Sequence, residues 1–237
     1  MTHVDNDQGG VTGPQSLSLE FEGKQYTRIP IRTHILTEKD DPAAVLDQYV
    51  RPHWREGDVV FLAETGVSIM QGRARDYRRI HPTPIARKLS TLVTKSPYGV
   101  GLRSPYAMQY AIELSGLHRI IAGCVWHVFG RLFGKTGWFY AAAGIQAKMM
   151  DAEHTMGIPE FYECVIPGPA DPRGTCMKLK QQSGMDCAIV DVNDIFHPWC
   201  IGSTLSRADE KLLENCLTDN PLGQGNECTP MGIWRRG

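Results

Sequence analysis

Apolar residues along this chain fall into short alternating runs, continuous runs and helical stripes, and each kind of pattern predicts an element. Leu17 to Phe21 and Tyr26 to Ile31 flank the turn Glu22-Gly23-Lys24, as in a strand hairpin. Pro42 opens a helix carried by Ala44, Val45, Gln48 and Tyr49 and ended by Pro52. Val59 to Ala63 is a continuous apolar run of strand length. A helical stripe follows at Ile85, Leu89 and Leu92, with Pro84 near its start. Ser104 and Pro105 open another helix, with Met108, Ala111 and Ile112 on its core face and Gly116 as its stop. Ile120 to Val128 is apolar enough to be buried whether helical or extended. Beyond it the pattern predicts a strand over Phe161 to Ile166, a turn at Pro167-Gly168-Pro169 and a short helix from Met177 to Gln181. A buried strand at Cys187 to Val190, a helix capped by Ser206 and a short strand reaching Trp234 complete the series. Strands interspersed with helices make an α+β protein with a mixed sheet and flanking helices, in one compact unit or two lobes.

Composition narrows the class. The chain has 237 residues, 42% of them hydrophobic and 22% charged, which suits a globular protein with a sizeable core. Its formal charge of −1 supplies no overall field for nucleic acid or an acidic membrane, so neither is an expected partner and any anion site is local. The opening residues 1–16 are polar and lack the apolar core of a signal peptide; they read as a disordered tail, leaving residues 17–237 as the domain. The most apolar run, Ile120 to Phe133, is short and contains His127 and Arg131, which does not make a spanning helix; a cytoplasmic location is expected. Seven widely spaced cysteines without a C-x-x-C pair read as reduced thiols.

Candidate chemistry centres on Gly130 to Gly137, where glycines 130, 134 and 137 accompany Arg131, Lys135 and Thr136. Glycines let backbone N–H groups approach an anion, and the cations match phosphate oxygens. A P-loop needs a further glycine at position 129, which is Phe, so that motif fails; a solvated surface turn is an equally open reading. Glu64, Thr65 and Ser68 follow the strand at 59–63, where ligands of helix-flanked sheets collect, although a plain strand-to-helix connection would look the same. Asp151-Ala152-Glu153-His154 and Asp191-Val192-Asn193-Asp194 offer carboxylates for a divalent cation, or simply polar turns. His127, alone in an apolar run, fits a core residue better than a ligand.

Read together, these motifs resemble the coenzyme F-420 gamma-glutamyl ligase family. The resemblance runs from Tyr26 to Arg236 and is clearest at Gly57-Asp58-Val59-Val60 through Thr65 and Ser68 to Gly72-Arg73, at Gly130-Arg131, and from Asn220 to Arg235. It implies a gamma-glutamyl ligase-like fold, a homodimer, and a ligase that uses GTP and a divalent metal to join an amino acid to a carboxylate. Counted by length, the family's two metal-binding aspartates fall near Gly101 and at Trp126 to Val128, neither with a carboxylate, while a family lysine aligns with Ile69. Gln224 keeps the type of a family metal or nucleotide ligand; Asp151 and Asp191 are chosen, by polarity and position, to complete the metal set. Thr33, His34, Glu64, Thr65, Ser68, Gly130, Gly134 and Gly223 are assigned to the nucleotide, and Arg131 and Lys135 to neutralising the transferred phosphate. The function so expected is an ATP- or GTP-dependent ligase with Mg2+ or Mn2+, joining a small carboxylate to an amine through an acyl phosphate. The alternative is a nucleotide- or metabolite-binding protein on the same fold.

Overall fold

In the computed structural model of the chain, residues 17–93, 101–134, 138–193, 197–223 and 227–237 are described, apart from the side chains of residues 131 and 132. The predicted tail 1–16 lies outside them, as do Lys135, Asp194 and Gln224.

Strands β1 (Leu17–Phe21) and β2 (Lys24–Ile31) form the expected hairpin. Asp41 caps α1 (Pro42–Val45), accepting from the N–H groups of Ala43 and Ala44, and the helix continues as a π turn over Leu46–Val50. Strand β3 (Val59–Ala63) leads straight into α2 (Glu64–Met70). A small antiparallel sheet pairs β4 (Arg75–Asp76) with β5 (Cys164–Val165), and between them run α3 (Pro84–Leu92), α4 (Pro105–Ser115), α5 (Leu117–Leu132), α6 (Trp138–Ala143) and α7 (Ile145–Lys148). The chain returns through α8 (Pro172–Ser183), β6 (Asp186–Asp191), β7 (Trp199–Ser203), α9 (Arg207–Cys216) and β8 (Met231–Arg236).

The main sheet has the order β1-β2-β8-β3-β6-β7. Among the described strands only β3 and β6 pair in parallel, so both bring their carboxyl ends to the same edge. Alternation divides β3 between two cores: Val60 and Leu62 pack with Leu46 and Leu179, whereas Val59 and Phe61 face Leu213, Leu217 and Trp234. Trp234 is fully buried and stacked on Tyr26, with centroids 5.6 Å apart. A third cluster, including Ile80, Met108, Ile120 and Ala147, makes the helices α3 to α7 a lobe of their own.

Gly232 in β8 opposes Phe61; a Cβ there would lie 2.5 Å from Phe61 Cζ and 2.9 Å from the Ile29 carbonyl oxygen. The ring could turn away, but the backbone oxygen of a paired strand could not. Gly232→Ala is therefore expected to destabilise the fold by about 2 kcal/mol, read as a lower urea midpoint.

Capping predicted the helix boundaries well: Ser104 accepts from the N–H groups of Tyr106 and Ala107, and Ser206 from that of Asp209. Other expectations change. Phe161 to Ile166 keeps strand geometry only at β5 and at Ile166, which bridges Asp151, because Pro159–Phe161 is a 3-10 turn. The helix expected at Met177 to Gln181 is twelve residues long, and β7 was not foreseen. Ile120 to Val128 is helical but not fully buried: Ile120 is inside, while Val125, Trp126 and Val128 are exposed. The core lobe covers only one side of α5, where Gly123 allows close approach to Phe139 and Ala143. Gly130 is a buried residue within this helix, and Gly134 follows its end with φ 64°, so the first half of the glycine-rich stretch is helix and not loop.

Candidate functional site

The carboxyl ends of β3 and β6 open into a cavity of about 760 Å³ bordered by both lobes. Open sheets leave such a crevice where parallel strands end and their connections diverge. Glu64 and Thr65, the first residues of α2, enter it from β3, and Asp191 enters as the last residue of β6. Asp151 joins them from the segment after α7, held by paired backbone hydrogen bonds to Ile166 of 2.8 and 3.0 Å. Residues 64, 151 and 191, far apart in sequence, thereby share one wall.

The Thr65 hydroxyl lies 2.9 Å from Glu64 Oε1 and 3.4 Å from Asp151 Oδ2, so it can donate to either carboxylate. Glu64 and Asp151 retain some accessible surface but lie deep in the cavity, where surrounding protein atoms withhold water. Burial, reinforced by the charges of Asp191 and Asp151, raises the Glu64 pKa to about 8. Burial and the Asp191 charge raise that of Asp151 to about 6. Burial also raises Asp191, against a hydrogen bond from Asn193 (3.1 Å) and the positive charge of Lys148. Three carboxyl groups sharing a poorly solvated wall destabilise one another's ionised forms, which makes the wall a receptor for positive charge.

Lys148, in the last turn of α7, supplies the cation on this wall. Its Nζ lies 3.5 Å from the centroid of the Trp199 ring, and both residues line the cavity. Across the opening, Thr33 and His34 contribute from the segment after β2, and Gly223 from the loop before β8. Thr33 is fixed through its N–H to the Cys228 carbonyl (2.9 Å). Both His34 ring nitrogens are engaged, Nε2 with Asp40 Oδ1 at 2.9 Å and Nδ1 with the Tyr49 hydroxyl at 2.7 Å, so the ring anchors the rim.

Of the residues singled out in the sequence, Thr33, His34, Glu64, Thr65, Asp151, Asp191 and Gly223 are brought together here. Ser68 is fully buried on the inner side of α2, its hydroxyl donating to the Pro167 carbonyl (2.7 Å), and Gly130 and Gly134 stand apart from the cavity lining. The Asp151 to His154 cluster is divided. Glu153 accepts from the Ser104 hydroxyl at the start of α4, while His154 packs between Tyr77 and Tyr162. Lys135, Gln224 and Asp194 lie outside the described residues, as does the Arg131 side chain. Lys148, Trp199 and His197 escaped the sequence reading, since isolated residues of these types carry no spacing signal.

Among the described residues, no three His, Cys, Asp or Glu side chains converge tightly enough to cage a metal unaided, and no helix is long and apolar enough to cross a membrane. A family model described as F420-0:Gamma-glutamyl ligase matches residues 30–204. No curated protein matches the chain.

Proposed function

Because the chain belongs to the F420-0:gamma-glutamyl ligase family, we propose that it is a ligase forming an amide between a small carboxylate and an amine or amino acid, driven by a nucleoside triphosphate. The observation that carries this reading is the meeting of Glu64, Asp151, Asp191 and Lys148 on one wall of the cavity between the sheet edge and the helical lobe. In this reading the substrate carboxylate attacks the terminal phosphorus of ATP or GTP; the new P–O bond gives an acyl phosphate, and the nucleoside diphosphate leaves with the electrons of the broken bond. The amine nitrogen then attacks the acyl carbon, phosphate departs and the amine loses a proton.

The donor set suits Mg2+ or Mn2+. Mg2+ commonly keeps several waters and binds through one or two carboxylates plus substrate phosphates, so two carboxylates of this wall would be enough. Asp151 and Asp191 would hold the cation, with Glu64 and the Thr65 hydroxyl beside them; Gln224 is the further ligand expected from the family resemblance. When bound, the cation would neutralise charge developing on the phosphoryl oxygens. Gly101 and Trp126 to Val128, where counting along the chain sets the family's aspartates, carry no carboxylate. In this reading Asp151, preceded by two apolar residues, and Asp191, ending its strand, fill those roles.

Lys148 is assigned the phosphate contact nearest Asp191. Lys148→Ala is expected to lower kcat about a hundredfold with a smaller rise in nucleotide KM, since its charge is needed most when phosphate charge redistributes. Steady-state phosphate release at varied nucleotide concentration measures both.

The proposal is tested in two stages. ATP or GTP with Mg2+ should raise the melting temperature, by mass action on the folded state. Phosphate release across a panel of acids and amines should then require one of each. Stabilisation without release anywhere in a broad panel would leave a nucleotide-binding protein and reject the ligase.

A further inference from the structure

The near-zero net charge hides a strong segregation. Residues 72–150, which contain the helical lobe, carry 12 Lys and Arg against two acids, Asp76 and Glu113, whereas the rest of the chain carries 13 against 24. Those two acids are already engaged, with Arg78 and Arg75 respectively. From Leu114 through Met150 there is no Asp or Glu. Arg87, Lys88, Arg103 and Arg119 are exposed on this lobe.

Among the described residues, the same lobe carries most of the exposed large apolar side chains. On α5, Ile121, Val125, Trp126, Val128 and Phe129 are exposed, with Trp126 at 51% and Val128 at 60%, and Phe133 just beyond reaches 70%. Their spacing is that of a continuous helical face opposite the Gly123 contact with α6. Trp126 and Phe133 gather around Trp138, with ring centroids 5.6 and 6.5 Å from it. Leu92 on α3 and Leu114 on α4 are further exposed apolar side chains of the lobe. Contiguous apolar exposure of this kind marks a contact surface.

We propose that the α5 face is a peripheral membrane-binding surface, lying on an anionic bilayer with its aliphatic and aromatic side chains in the headgroup boundary and the lobe's cations against lipid phosphates. An interfacial helix needs an apolar face together with positive charge, and this lobe holds both. A second copy docking by the same face would set one strongly basic lobe against another. Docking against the acidic remainder offers little apolar surface, since among the described residues Tyr162 and Met177 are its exposed large apolar side chains. Nucleic acid would match the cations and rings, yet has no hydrophobic layer for Ile121, Val125, Val128 and Leu92. The helix lies on the bilayer and does not cross it. The inference stands apart from the ligase reading and from the cavity.

The test is co-sedimentation of the full chain with vesicles of phosphatidylcholine alone or mixed with phosphatidylglycerol. Binding is expected to the mixed vesicles, weakening as salt is raised. The double variant Val125→Glu/Phe129→Glu should bind at least about tenfold less, as should Arg87→Glu/Lys88→Glu. Each variant is to keep the parent's melting temperature; Val128→Ser, also expected to weaken binding, replaces the first if that one fails to fold. Failure of the parent to sediment with mixed vesicles overturns the proposal. So does undiminished binding by the folded face variants. Dimerisation by light scattering, or capture of a single-stranded oligonucleotide, abolished by the face variants in place of vesicle binding, would reassign the surface to a second copy or to nucleic acid.

Discussion

Asp191→Asn is expected to reduce phosphate-releasing turnover at least about a thousandfold while leaving the protein as stable as its parent or more so. The effect on turnover follows from the assigned role: a carboxylate that holds the cation acts on the phosphoryl group's charge in a site poor in water, where such contacts are worth several kcal/mol. The stability effect follows from the electrostatics of the cavity wall. Burial disfavours the ionised side chain by more than Asn193 and the Lys148 charge favour it, and the amide removes that charge while its oxygen can still accept from Asn193. Asp151→Asn should behave alike, because burial and Asp191 raise its pKa to about 6. Loss of activity with a level or raised melting temperature separates a functional carboxylate from a structural one. A variant that keeps turnover would remove the residue from the site.

Acidification should stabilise the free protein, which is the second large effect. Glu64 has a folded pKa of about 8 against an ordinary 4.5, so between those values the folded state retains a proton that the unfolded chain has released. Stability from that proton is fully present below the unfolded value and is lost as pH rises through about 8. Allowing for the water that reaches the cavity, the contribution is about 3 kcal/mol, or roughly 5–10 °C in melting temperature, between about pH 8.5 and about pH 5.5. Glu64→Gln should flatten the profile. Added Mg2+ should do so as well, by favouring the ionised carboxylates at the alkaline end, and should release protons on binding. Thermal melts across this range with EDTA or Mg2+ measure all three arms.

Local chemistry made much of the fold legible. Ser104 before Pro105, and Ser206 three residues before Asp209, mark helix starts because a capping hydroxyl needs only its own next turn. The hairpin β1–β2 and the strand at Val59 were readable for the same reason. What stayed hidden depends on partners distant in sequence. The position of β8 between β2 and β3 is set by pairing across about 200 residues, for which no local signal exists. The apolar run at Ile120 was expected inside because apolarity reports a preference for cover, not whether the chain itself provides it.

The site divides along the same line. Glu64 and Asp191 stood out as polar groups ending apolar strands, and topology then joined them because β3 and β6 are parallel neighbours. Asp151 was visible only as part of an acidic cluster, which the fold splits between the cavity and the Ser104 cap. Lys148 had no signal, since its relation to Asp191 exists only in space. Gly130 gave a misleading one: glycine in a basic stretch suggests a loop around an anion, yet here it is a buried residue within α5.

The central place of β8 bears on how the polypeptide reaches its final shape during synthesis. Until β8 emerges from the ribosome, the β1–β2 hairpin and the β3–β6–β7 unit cannot be joined, and β2 and β3 each present bare backbone donors and acceptors to the crowded cell. The nascent chain therefore passes through a divided stage prone to association with its own copies, and a fragment ending before Met231 should need chaperone protection or accumulate as aggregate.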